Sequence, residues 1–324
     1  MTNILIALVV ILTIAALVQL VRVNELLSEI TDKDTNAVTD DDNKKNGILF
    51  LLTIPLFMGF VVWQMVTWDH LLLPPASSIH GAEIDSLMKV SMTLILVVFF
   101  ILTPMLFFFA YKYRGKKGNT AYFFSHNNKL EIIWTVVPTI ILTVLIVYGL
   151  KTWDRAMNTN FSDATVIEIY SKQFDWTARY SGLDKVLGKS NYRLVKGKNV
   201  LGVDMLDKNS SDDMVVKEVH LPVNKPVLLM FRSRDVIHSA FLPHFRVQMN
   251  CVPGLTTQFA FTPTKTTAQM KESEGDDFEY VLLCNKICGS AHSNMQMKFI
   301  IESEEDYNKW ISSQKTLQNT LTLK

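Results

Sequence analysis

The sequence predicts a membrane protein: an α-helical transmembrane region of four spans, followed by an all-β sandwich domain. Three observations lead there. Four long, uncharged apolar runs fill the first half of the chain, at 4–21, 47–68, 90–111 and 132–150. From Thr165 onward the texture changes to short runs punctuated by glycine and proline. Cysteine is scarce, three in 324 residues, so the second half is not a disulfide scaffold.

Each apolar run has roughly the 18 residues needed to cross about 30 Å of hydrocarbon as a helix. The first is read as a span and not as a signal peptide. The only positive charge ahead of it is the amino terminus, and no A-x-A site follows. The Asp-rich segment 28–46 reads as a flexible loop. Between the third and fourth runs lie Lys112, Arg114, Lys116, Lys117 and Lys129, with no acid before Glu131. The positive-inside rule makes this loop cytoplasmic, so everything after Leu150 lies on the outer side. The remaining loops agree, and the amino terminus is then outside. Pro138, inside the fourth run, is a candidate kink. His70, His80 and His126 flank spans and read as solvated.

In the second half, V-I-E-I-Y-S, F-D-W-T-A-R-Y, V-V-K-E-V-H-L, P-V-L-L-M-F-R-S, T-Q-F-A-F-T, F-E-Y-V-L-L-C and M-K-F-I-I-E read as strands. Seven short strands in this length suggest a two-sheet sandwich or Greek-key barrel. Residues 182–214 read as a long excursion, and 304–310 as a short surface helix. The chain divides into an extension with two spans (1–68), a transmembrane hairpin (69–155) and an outer β domain (156–324). A net charge of +1 gives no sign of nucleic-acid binding, and the absence of C-x-x-C-H excludes a covalently attached haem on this chain.

The chemistry concentrates in C-N-K-I-C-G-S-A-H-S-N-M, residues 284–295, which holds Cys284, Cys288, His292 and Met295. His238, in D-V-I-H-S, lies 46 residues upstream. Thiolate, imidazole and thioether are soft or borderline ligands that suit copper and, less completely, zinc. A structural zinc site fits the ligand count but usually takes C-x-x-C spacing. A Cys284–Cys288 disulfide would leave His292 and Met295 without a role. Copper is the reading these types favour.

These residues resemble the CuA motif of subunit II of haem-copper cytochrome c oxidases, and the resemblance runs from about 85 to 310. It implies a cupredoxin-like domain with two copper ions. Cys284 and Cys288 would bridge the ions, His238 and His292 would bind one each, and Met295 and the Lys286 carbonyl would be weak ligands. It further implies an outer domain in the bacterial periplasm, anchored in the inner membrane. Electrons would pass from a c-type cytochrome to haem on subunit I, where oxygen reduction is coupled to proton pumping. Other membrane subunits and lipid are the remaining implied partners. E-I-I-W-T-V-V-P is similar to the family's E-x-I-W-T-x-x-P, which places Glu131 at the mouth of a proton path.

Two departures stand out. The family usually has Glu at the position of Lys286, where its side chain reaches a magnesium ion; an ammonium cannot do so. In K-Q-F-D-W the family's first Trp, where electrons enter, is replaced by Phe174, while Trp176 keeps the second. The change suggests a cytochrome donor held in a larger assembly. Trp176 also reads as sandwich core. His244 is not a family ligand, and Cys251 reads as a small buried apolar residue. Asp204, Asp207, Asp212, Asp213, Asp276 and Asp277 read as a solvated face, with a patch for a basic cytochrome as the alternative. A quinol oxidase subunit, a nitrous oxide reductase domain and a zinc-holding assembly protein are the rival readings.

Overall fold

A computed structural model describes residues 2–30, 37–158, 160 and 163–322. The chain forms two compact units, Met1–Thr67 with Leu96–His126, and Trp68–Ile95 with Asn127–Lys324. Four helices are long and apolar enough to cross a membrane: α1 (Thr2–Ile30), α2 (Asp40–Thr67), α3 (Ile79–Lys112) and α4 (Asn128–Met157).

In the first unit the Asp-rich segment departs from expectation. Residues 28–30 continue α1 and residues 40–46 open α2, while 31–36 lie outside the described residues. The physical reason is a capping box. Thr39 Oγ1 accepts from Asp42 N, and Thr39 N donates back to the Asp42 carboxylate. Three acids in the first turn of α2 then complement the helix dipole. Within this unit α2 packs on α3 through Phe50 on Phe107 and Phe57 on Phe99. At Gly47 a Cβ would lie 3.1 Å from both the Tyr111 and Arg114 side chains, so the close approach favours glycine.

The second unit is built on two five-stranded sheets, packed as a sandwich. Its strands are β1 (Thr165–Lys172), β2 (Asp175–Tyr180), β3 (Met214–Val216), β4 (Val219–Pro222), β5 (Val227–Ser233), β6 (His238–Leu242), β7 (Val247–Cys251), β8 (Thr257–Phe261), β9 (Tyr280–Cys284) and β10 (Gln296–Glu302). One sheet runs β3-β2-β1-β5-β8, the other β4-β10-β9-β6-β7. Ile167, Ile169, Trp176, Leu229, Phe231 and Phe299 are among the buried side chains between them. Three short helices, α5 (Thr267–Glu274), α6 (Glu304–Ser313) and α7 (Leu317–Thr322), complete the unit, with α6 where the sequence places it.

Three expectations need correction, two of them about strands. V-V-K-E-V-H-L is two strands, not one: it breaks at Lys217 and Glu218, and β3 and β4 belong to different sheets. β6 and β7 were not expected as strands. His238 therefore opens a strand, β6. β6 is short and mostly buried, so it lacks the alternation that marks a half-exposed strand. Finally, His80 is buried against Phe259 and is not solvated.

That burial follows from how α3 begins. Ser78 caps its first turn by accepting from Gly81 N, and its hydroxyl donates to the Phe245 carbonyl. Arg246 grips Asp85 with two hydrogen bonds of 2.9 Å and also donates to the Pro74 and Pro243 carbonyls. The early turns of α3 are thus part of the β domain's own packing.

Residues 182–213 run as an excursion that covers the outer face of the first sheet. Leu201 and Val203 bury Tyr170 there, and Asp213 reaches Arg179. Arg179 also bonds Glu168, which in turn pairs with Arg232. The excursion's acids are not a solvated face. Asp204, Asp207 and Asp212 cap backbone N–H groups of Leu206, Lys189 and Leu183, and Asp213 is fully buried.

Candidate metal centre

Strand pairing brings the distant donors together. β6 pairs antiparallel with β9 in the register Ala240 to Cys284, which sets His238 beside the end of β9. The chain then leaves the sheet through 285–295 and returns as β10, so that Cys284 N donates to Met295 O.

The donors form a row. His238 Nδ1 lies 3.8 Å from Cys284 Sγ, which lies 3.8 Å from Cys288 Sγ, which lies 3.6 Å from His292 Nδ1. Met295 Sδ is 4.0 Å from Cys288 Sγ, and the Cys284 thiol donates to the Lys286 carbonyl at 3.3 Å. The structure thus gathers His238, Cys284, Lys286, Cys288, His292 and Met295 in one place. At 3.8 Å the sulfurs are far beyond the roughly 2.05 Å of a disulfide, and both cysteines are free.

The donor set fits a soft metal. Two thiols, two imidazole nitrogens and a thioether converge, and the ligand atoms of His238, Cys284 and Cys288 all lie within 4.8 Å of one another. Burial first, and then the neighbouring Cys284, push the Cys288 thiol up to about 11. Two adjacent thiolates are therefore costly without a cation between them, and a metal supplies that charge.

A second layer orients the row. His238 is fully buried, and its Nε2 lies 2.9 Å from Asp235 Oδ1. That partner keeps the proton on Nε2 and leaves the Nδ1 lone pair facing Cys284. Burial opposes ionisation of Asp235, but hydrogen bonds from Gln173 N, His238 and Val236 N outweigh it and hold the carboxyl below its usual range. Gln173 Nε2 donates to the Cys288 carbonyl, so the β1–β2 turn touches both ligand segments. Asp235 and Gln173 escaped the reading of the sequence. The D-x-x-H spacing was the available signal for Asp235.

Trp176 is buried, donates from Nε1 to the Met295 carbonyl and meets the His238 ring edge-on. Phe174 is half-buried in the β1–β2 turn. Gly289, with φ +143°, lies so close to it that a Cβ would fall 2.6 Å from the Phe174 ring. Glu131 lies in the first turn of α4, where its carboxylate accepts from Asn127 N. His244 stands edge-on to Phe278 and Tyr280, away from the row. Cys251 is fully buried, and burial pushes its thiol up to about 12, as an inert apolar residue requires.

Fold and site together define a membrane-anchored β-sandwich protein with a candidate soft-metal site at one end of the sandwich. The family described as cytochrome c oxidase subunit II matches twice, through its transmembrane domain at 63–152 and its periplasmic domain at 165–303. An alternative cytochrome c oxidase subunit 2 of Bradyrhizobium diazoefficiens is 34% identical over 222 residues, covering 67% of this chain and 76% of that relative. Cytochrome c oxidase subunit 2 of Synechocystis sp. is 24% identical over 285 residues, covering 80% of this chain and 82% of that relative. The crystal structure of the periplasmic domain of subunit II of cytochrome oxidase of Bradyrhizobium japonicum is similar at 24% identity and a TM-score of 0.33, over 47% of this chain and 94% of that one.

The chain belongs to the cytochrome c oxidase subunit II family of bacterial type, the electron-entry subunit of a haem-copper oxidoreductase. It is a membrane protein with an extramembrane copper-type domain that carries the candidate group His238, Cys284 and Cys288.

Proposed function

We propose that this chain holds a binuclear copper centre that takes electrons singly from a c-type cytochrome and hands them to haem on subunit I. The observation that carries this reading is the row His238, Cys284, Cys288, His292, with two free thiols 3.8 Å apart at its middle. Cys284 and Cys288 would supply the thiolates that hold copper, His238 and His292 one nitrogen each, and Met295 and the Lys286 carbonyl weak donors. Bound there, the copper pair supplies a one-electron carrier. The residues do the rest. Strand ends and the Asp235 and Gln173 hydrogen bonds keep the donors in place between oxidation states, which keeps the cost of rearrangement low. The buried Trp176 links the β2 strand to His238 and to the Met295 carbonyl, and Phe174 lies outside it on the path by which electrons enter.

In this reading the β domain lies in the periplasm and the spans lie in the bacterial inner membrane, with the 113–127 loop cytoplasmic. Residues 1–68 are an added two-span extension, 69–155 the family hairpin and 156–324 the copper domain. Lys286 excludes a magnesium ligand at its side chain, and Glu131 opens a proton path. Replacement of the entry Trp by Phe174 favours a donor held in a larger assembly.

The test is metal content and electron-spin resonance on the full chain in detergent. Two coppers per chain sharing one unpaired electron support the reading. One zinc per chain, or a Cys284–Cys288 disulfide without metal, overturns it.

A further inference from the structure

We propose that the face beside the His238 end of the metal row docks an acidic electron-donor protein, a c-type cytochrome domain with carboxylates around its haem edge. The proposal rests on the electron-carrier reading above. It starts from a cleft of about 740 Å³ walled by Tyr170, Tyr192, Leu201, Arg232, Arg234 and Leu255. No carboxylate lines it.

Its two cations differ. Arg232 is engaged: its guanidinium pairs with Glu168 and lies over the Tyr170 ring. Arg234 is exposed, and among the described residues no acid pairs with it. It also sits immediately before Asp235, whose carboxylate holds His238 Nε2. A partner seated on Arg234 is therefore one residue from the group that orients a metal ligand.

Most of the surrounding acids have partners inside the chain, with Asp184 exposed and the Asp175 side chain 41% exposed. Asp184, Asp204, Asp207 and Asp212 cap backbone N–H groups, and Asp213 pairs with Arg179. Asp175 pairs with Lys217, and Asp235 accepts from Gln173 N, Val236 N and His238. The bases face outward. Lys189 and Arg193 border a second recess on the excursion together with Asp204, and Lys286 is exposed on the ligand loop. Exposed apolar side chains lie among these bases: Tyr192 at 74%, Leu255 at 56% and Ile287 at 87%. Apolar contact beside unpaired positive charge, as at Arg234 in its cleft without a lining carboxylate, is the pattern of a steered, short-lived docking face, and that charge selects an acidic partner.

The experiment uses the whole oxidase complex in detergent. Reduction of its copper is followed by stopped flow with an acidic c-type cytochrome, with a basic one, and with a small uncharged reductant. The acidic cytochrome should react faster at low salt and slow as ionic strength rises. Arg234→Glu should slow it by about ten-fold at low salt and leave the uncharged reductant unaffected. Arg193→Glu should act in the same direction and less strongly. A faster basic cytochrome, accelerated further by Arg234→Glu, would overturn the proposal. So would loss of an oxidase subunit from the Arg234→Glu complex with donor kinetics unchanged, which would assign the face to subunit packing. Failure of the uncharged reductant to reduce any metal would remove the electron-carrier reading itself, and the docking face with it.

Discussion

The β domain contains two buried polar clusters that answer the same problem in opposite ways. On the outer face of the first sheet, Glu168, Arg179, Asp213 and Arg232 neutralise one another, with Arg179 bonded at 2.8 Å to both Glu168 and Asp213. At the end of the sandwich, His238, Cys284, Cys288, His292 and Met295 present lone pairs and thiols to one another and contain no cation. The first cluster pairs its charges within the chain, and among the described residues only Asp213 Oδ1 in it is buried without a hydrogen-bond partner. The second is a candidate site for a ligand that brings positive charge. A buried group that satisfies itself belongs to the architecture, and one that does not marks a function.

The sharpest way to break the comparison is Arg179→Leu. It leaves the buried Asp213 without its cation and Glu168 with Arg232 alone, and should cost about 3–5 kcal/mol, read as a large fall in the unfolding temperature of the metal-free protein. The double variant Cys284→Ser, Cys288→Ser should do the reverse. Metal-free stability should change by only about 1 kcal/mol, while bound copper falls to none. Stripping copper from the unaltered protein should lower its stability by about 4 kcal/mol relative to free metal held at a thousand times its dissociation constant, and the double variant should show no such response. Equal metal-dependent stabilisation in both would show that the row is not the site.

A smaller effect tests the link between core and site. Trp176→Phe removes the hydrogen bond to the Met295 carbonyl and should cost about 1 kcal/mol in unfolding experiments. It should also shift the copper absorption spectrum, which a purely structural tryptophan would leave unchanged.

The subtlest test is a pH slope. Burial pushes the Asp213 carboxyl up to about 6, against the pull of Arg179, and its Oδ1 is buried without a hydrogen-bond partner. The folded state then holds a proton that the unfolded state releases near 3.8, so Asp213 lowers stability as pH rises from about 4 to 6. Asp213→Asn should flatten that part of the curve of unfolding temperature against pH.

Much of this was legible in the linear chain, for identifiable reasons. A membrane span is a matter of length and composition, so all four were visible as uncharged runs. Strands with one exposed face announce themselves by alternation. α6 showed itself by its acidic first turn behind Ser303, which caps Asp306 N. The candidate donors Cys284, Cys288, His292 and Met295 stood out because soft ligand types are rare, and here they cluster within twelve residues. Other signals were present and went unread. T-x-x-Q at Thr266 and Gln269 is a capping box that opens α5, and V-Q-M-N-C alternates as a half-exposed strand does.

What the sequence determined by itself was the order of the parts and the identity of the donors, because both follow from residue type and local spacing. What only the tertiary structure decided was which distant groups meet. The register of β6 on β9 carries His238 to the cysteines across 46 residues of chain. The β1–β2 turn gives Gln173 to Asp235 and to Cys288 at once. The excursion turns its acids inward and leaves Arg234 uncovered. None of these is a local property. Each depends on the pairing of strands, and that pairing is set by how the whole core packs.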